Sequence, residues 1–210
     1  MTERGMIFNS EMVRAILDGR KTQTRRIIKL SHERGMLNPV IKGRNGEITS
    51  VSCRLAPLLC PYGQPGDRIW VRETFNGFWL DDDVIQEIKD GVSLASELCD
   101  YKADYSDGSK PAEGWTPSIH MPRWASRILL EITDVRVERL NAISQADAIA
   151  EGAPPSHPSI DCVSQEYGFP DFSRSWFGQT WQHIYGEESW QANSWVWVIE
   201  FKRIDGVKVQ

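Results

Sequence analysis

The chain has 210 residues, of which 25% are charged and 40% hydrophobic; its formal net charge is −5 and its mean hydropathy is −0.41. A body this acidic does not suit coating of duplex nucleic acid, so any phosphate contact has to come from a local patch. No stretch approaches the roughly 18 consecutive apolar residues of a membrane span. The opening MTERGMIF carries an acid and lacks the apolar run of a secretory leader, so a cytoplasmic location is expected.

In chain order, the first element is a short helix in SEMVRAILDG. Ser10 is expected to be its N-cap, with Glu11 in the first turn. Met12, Ala15 and Ile16, widened by Val13 and Leu17, form the apolar stripe, and Gly19 takes the position that ends a helix. The octet GRKTQTRR (19–26) follows, with four cations and no acid. Residues 31–60 have little periodicity and read as a long loop or a weak hairpin. Two Pro–Gly turns in CPYGQPGD then lead into a strand from Arg68 to Thr74, with Ile69 and Val71 on one face and Trp70 and Arg72 on the other.

Residues 76–118 have no strong pattern beyond a small helix and read as an insertion. RILLEITDVRVERL (127–140) alternates at period 2 with a phase change at Thr133–Asp134, giving two strands or one strand with a bulge. Ser144 and Asp147 resemble a capping box for a helix whose stripe is Ala146, Ile149 and Ala150; Glu151 ends it and Gly152 caps it. After a Pro- and Ser-rich loop at 153–170, Phe172, Trp176, Phe177, Trp181, Ile184 and Tyr185 recur at helical spacing. WVWVIEFKRI (195–204) closes the chain as a strand. Because strands and helices do not alternate regularly, the expected class is α+β.

The four cysteines, Cys53, Cys60, Cys99 and Cys162, form no C-x2-C pair and have no histidine at ligand spacing, so free thiols are expected and a zinc site is not. Lys21 lies among Arg20, Arg25 and Arg26, whose charges lower its pKa; a partly neutral amine three residues before Thr24 is able to take a proton from that hydroxyl or from water. The same residues also read as a solvated basic turn whose arginines pair with surface acids. Glu151, at a helix C-terminus where the dipole prefers cations, reads either as a functional acid or as a surface residue on a frayed turn. His120, Arg123 and Trp124 form either a wall that stacks a base or an edge segment covering core. Arg72 and Glu73 read as a pocket pair or a rim salt bridge.

GRKTQTRR resembles the G-x-K-x-x-x-x-R signature of the ASCH domain family, matched by Gly19, Lys21 and Arg26. CPYGQPGDRIWVRET, PSIHMPRWASRI, DAIAEG and WVWVIEFKRI are similar to the larger ASCH proteins of phages and prophages. The resemblance implies one PUA-like domain over residues 1–210: a small mixed β-barrel with helices closing a central cleft and insertions at 31–59, 76–114 and 153–172. It also implies a nucleoside or nucleotide ligand, or RNA or single-stranded DNA, with no cofactor or metal.

Small members of the family hydrolyse the amide of N(4)-acetylcytidine with a lysine, a threonine and a glutamate, which fall here on Lys21, Thr24 and Glu151. On this reading Lys21 is the base, Thr24 is the nucleophile or positions water, Glu151 orients Lys21 or carries a proton, and Arg26 meets the oxyanion. Trp70, Arg72, His120, Arg123 and Trp124 are expected to recognise the substrate. The rival reading is a non-catalytic module that binds RNA, single-stranded DNA or a modified base; a third is a phage accessory protein.

Overall fold

The computed structural model describes residues 1–29, 38–42, 45–106, 108–154 and 172–204. Five strands are hydrogen-bonded in the order β1 (Glu3–Ile7), β5 (Arg68–Arg72), β8 (Leu129–Arg139), β9 (Trp195–Ile204) and β2 (Gln23–Ile27). The β1–β5 pair is parallel, whereas β5–β8 and β2–β9 are antiparallel. With helices α1 (Ser10–Leu17), α2 (Asp82–Lys89), α3 (Ala95–Leu98), α4 (Gln145–Ala150) and α5 (Phe172–Tyr185), this is a mixed α+β protein. Two further antiparallel ribbons pair β3 (Val40–Lys42) with β4 (Ile48–Ser50), and β6 (Phe75–Asn76) with β7 (Asp100–Tyr101). The chain divides into two compact units, the first comprising Met1–Gly19, Pro65–Ile132 and Phe201–Gln210, the second Arg20–Gln64 and Thr133–Glu200.

In the first unit, α1 starts one residue earlier than its sequence suggests. The Asn9 carboxamide accepts from the Met12 N–H at 2.8 Å, so Asn9 is the N-cap and Ser10 is the first helical residue. Both are good caps, and the one whose backbone is extended takes the role. Val13, Ala15 and Ile16 are buried, and Gly19 has φ +74°, as the glycine that ends a helix requires. Strand β1 has no counterpart among the expected elements: only Met6 of its five residues is buried, so it carries no alternating signal.

The segment after β5 supplies core. Cys99 and Tyr101 pack with Phe75, Met121 and Ala125, and the Tyr101 hydroxyl donates to the Ala125 carbonyl at 2.8 Å. Above Tyr101 lies Arg127, its guanidinium 3.9 Å from the ring centroid. It donates to both carboxylate oxygens of buried Glu73, at 3.0 and 3.1 Å, and to both of Asp104, at 2.6 and 2.9 Å. Glu73 is thus partnered by Arg127 rather than by its neighbour Arg72.

In the second unit, Ser144 caps α4 and forms the expected capping box with Asp147. The buried residue of α4 is Ala148, and Ile149 is 50% exposed, so the expected stripe of Ala146, Ile149 and Ala150 is wrong. Six residues make fewer than two turns, too few for a period to be read reliably. Along α5, Phe177 and Trp181 are buried and pack with Leu140, Ile143, Ala148, Val196 and Val198, while Phe172, Ile184 and Tyr185 stay exposed. β8 is a single strand in which Thr133 and Asp134 are both exposed, giving the phase change between Ile132 and Val135. In β9 every residue from Trp195 to Ile199 is buried, so both faces are covered. Cys53, Cys60 and Cys99 are free thiols, and Cys162 lies outside the described residues, as does most of the expected 153–170 loop.

Candidate active site

The basic octet is not a surface turn. Residues 23–27 form β2, paired with β9 in the register Gln23↔Glu200, Thr24↔Ile199, Arg25↔Val198 and Arg26↔Trp197. Lys21, two residues earlier, bridges Glu151 through its backbone, and the Thr22 N–H donates to the Ala150 carbonyl at 2.8 Å. Lys21, Gln23, Thr24 and Arg25 are all buried, so the reading of a solvated basic turn is replaced by a buried strand. The octet's two threonines and the isoleucines that follow are β-branched, which is the strand signal that its charge count obscures.

Strand alternation gives Lys21, Gln23 and Arg25 one face and Thr24 and Arg26 the other. The first row meets α4. The Lys21 amine donates to Glu151 Oε2 at 2.7 Å and to the Glu151 backbone carbonyl at 2.8 Å. Arg25 donates to Glu151 Oε1 at 3.2 Å and to Glu138 Oε2 at 3.2 Å, and lies 3.5 Å from Asp147 Oδ2. Arg136 binds Glu138 and Asp147 at 2.6 and 2.7 Å, also contacts Glu200, and donates to Gln23 Oε1 at 3.2 Å. That bond fixes the Gln23 amide so that its NH2 faces away from Arg136; the NH2 is buried and has no acceptor among the described residues.

Glu151 is 5% exposed, so it is no frayed surface residue. Its unfavourable place at the end of α4 is offset by two cations on its two carboxylate oxygens. The Lys21 amine has its pKa lowered, chiefly by burial and to a lesser degree by Arg26 and Arg25, with Glu151 opposing. The arginines are therefore secondary contributors to that shift. Burial alone would raise the Asp147 pKa, but the hydrogen bonds from Ser144 and the charges of Arg25 and Arg136 outweigh it and hold that pKa low.

Sequence reasoning missed Gln23, Arg25, Glu138, Arg136 and Asp147 as members of this centre. Spacing of two from Lys21 marks Gln23 and Arg25 once the octet is read as a strand. Thr24 is buried, and no hydrogen bond described joins it to Lys21 or Glu151.

Trp70, Arg72, His120, Arg123 and Trp124, expected to recognise substrate, belong to the first unit, and three of them, Trp70, Arg72 and Arg123, cluster. Arg72 and Arg123 lie 5.4 and 5.7 Å from the Trp70 ring centroid. Arg123 also pairs with Glu3 at 2.7 Å, and Arg72 donates to the Ile119 carbonyl. Trp124 packs on the first unit's core, edge-on to Phe75 with centroids 6.5 Å apart. His120 is exposed in a short 3-10 turn.

No protein-family profile matches the chain, and no curated protein matches it. Among solved structures, the ASCH domain from Lactobacillus crispatus JV V101 aligns with 96% of this chain and 79% of its own, at 11% identity and a TM-score of 0.40. A likeness of that size says nothing about activity. The fold and the site define the chain as an α+β protein with a buried lysine–glutamate–arginine centre.

Proposed function

We propose that this chain is an ASCH-type, PUA-like protein that hydrolyses the amide of an acylated or otherwise modified nucleoside of the N(4)-acetylcytidine kind, without a metal. The observation that carries this reading is the meeting of Lys21 and Glu151. They are 130 residues apart, both are singled out by the family resemblance, and they make a buried 2.7 Å hydrogen bond.

The lowered pKa of Lys21 makes its neutral form more accessible, and a neutral lysine amine has two N–H groups and one lone pair. In that form the two donors go to Glu151 Oε2 and the Glu151 carbonyl, which leaves the lone pair to take a proton. Lys21 then serves as general base towards water, whose oxygen attacks the acyl carbon. The C–N bond breaks, the acyl group leaves as a carboxylic acid, and the proton held by Lys21 passes to the departing amine. Thr24 lies on the other strand face, so the attack falls to water rather than to the threonine. The unpartnered Gln23 NH2, on the face of Lys21, is the better-placed donor for the oxyanion than Arg26.

One observation favours a second reading: the Lys21 side chain is 0% exposed. Under that reading the centre only ties the start of β2 to the end of α4, and the chain is a non-catalytic module that binds RNA, single-stranded DNA or a modified base. Purified protein at high concentration is incubated with N(4)-acetylcytidine and a panel of acylated nucleosides, and the products are separated by liquid chromatography. The hydrolase reading predicts cytidine release that is insensitive to salt and abolished by Lys21→Arg. No turnover of any substrate, with oligonucleotide binding that weakens steeply with salt and survives Lys21→Arg, establishes the binding module instead.

A further inference from the structure

The second unit contains a cavity that the proposed chemistry does not use. Its volume is about 440 Å³, within the range of small-molecule sites, and none of Lys21, Gln23, Arg25 or Glu151 lines it. Ile28, Ile41 and Leu59 give it aliphatic walls, Trp197 and Tyr62 give it aromatic ones, and Lys29 and Lys42 also line it. Trp197 is almost fully buried and forms an inner wall, whereas both lysines are exposed and stand at the mouth.

The polar side chains of the lining share one character. Two are ammonium groups, the third is the Tyr62 phenol, and no carboxylate or amide side chain lines it among the described residues. Burial pushes the Tyr62 hydroxyl up, against the opposing charge of Arg26, so it remains a protonated donor at neutral pH. Neither lysine has an ion-pair partner among the described residues, and Trp197 and Tyr62 are in no ring–ring contact there. In a chain of net charge −5, two unneutralised lysines at the mouth of an apolar cavity form a local positive field.

We infer that this cavity binds a small amphipathic anion, with a flat aromatic body against Trp197 and Tyr62 and a phosphate, sulfonate or carboxylate head on Lys29 and Lys42. Aromatic walls favour a ring over a flexible chain, which loses more conformational freedom on binding. The inference stands apart from the hydrolase reading, because it uses none of the same residues.

The test uses the full chain and the fluorescence of 1-anilinonaphthalene-8-sulfonate, with 1-naphthyl phosphate, 1-naphthol and decanoate as competitors. Expected are saturable binding, displacement by 1-naphthyl phosphate, and at least about tenfold weaker displacement by uncharged 1-naphthol. The exposed double substitution Lys29→Glu/Lys42→Glu weakens the probe and the phosphate by about tenfold or more at an unchanged Tm. Leu59→Trp, which places a bulky ring in the space between the aromatic walls, weakens both without unfolding the protein. Absence of binding, or binding indifferent to the charge reversal or to Leu59→Trp, overturns the inference. Decanoate competing as well as the naphthyl phosphate overturns its aromatic part.

Discussion

Replacing Glu151 with glutamine keeps the shape of the centre and removes its charge. In the wild type, Glu151 accepts from Lys21 at 2.7 Å and from Arg25 at 3.2 Å, and its side chain is 4% exposed. Arg25 keeps two carboxylates, Glu138 and Asp147, after the change, whereas Lys21 keeps only neutral carbonyl acceptors. Stranding one member of a buried pair costs about 3–5 kcal/mol. Lys21 has an escape, because a lysine that loses its anionic partner can shed its proton and avoid part of the penalty. A loss near the lower end, about 3 kcal/mol, is therefore expected. Lys21→Met should cost less, about 1 kcal/mol, because Arg25 still neutralises Glu151 and an apolar chain replaces a desolvated cation. Urea unfolding at 25 °C and neutral pH measures both variants. Glu151→Gln within about 0.5 kcal/mol of wild type, the level of an ordinary surface change, refutes the reasoning.

The Lys21 pKa is lowered in the folded state, so between its folded and unfolded values the unfolded chain binds more protons and stability rises with pH. Urea midpoints across the alkaline range should therefore show wild type gaining on Lys21→Met as pH rises; a constant gap removes the claim. In the first unit, Arg127→Leu strands Glu73 and should cost about 3–5 kcal/mol near neutral pH. Burial already raises the Glu73 pKa against the pull of Arg127, so without the arginine the carboxyl protonates more readily. The deficit should shrink as pH falls; urea unfolding between about pH 4 and 7, where carboxylates titrate, checks it.

How much of this was legible in the sequence depended on which residues carry the pattern. β5 and β8 were readable because Ile69 and Val71, then Leu130, Ile132, Val135 and Val137, alternate against polar neighbours. α4 was readable from its capping box, which is a local side-chain to backbone arrangement. β1 was not, since pairing with β5 is long-range and leaves one buried residue in five. β2 is hidden because the charge of its cation-rich stretch masks the alternation. Burial of Lys21 and Arg25 is possible only because Glu138, Asp147 and Glu151 come from residues more than a hundred positions away. No local window contains those acids. The family resemblance supplied one of them, Glu151, and left the other two unmentioned.

The most direct test of the account is the protonation of the Lys21 amine itself. Nitrogen-15 and carbon-13 labelling of lysine, with Lys21→Met to assign the signal, gives its titration curve by NMR. The account predicts a midpoint below that of every exposed lysine in the chain, moving further down in Glu151→Gln as the raising influence of the carboxylate is lost. A Lys21 signal that titrates with the exposed lysines, or does not respond to Glu151→Gln, contradicts it.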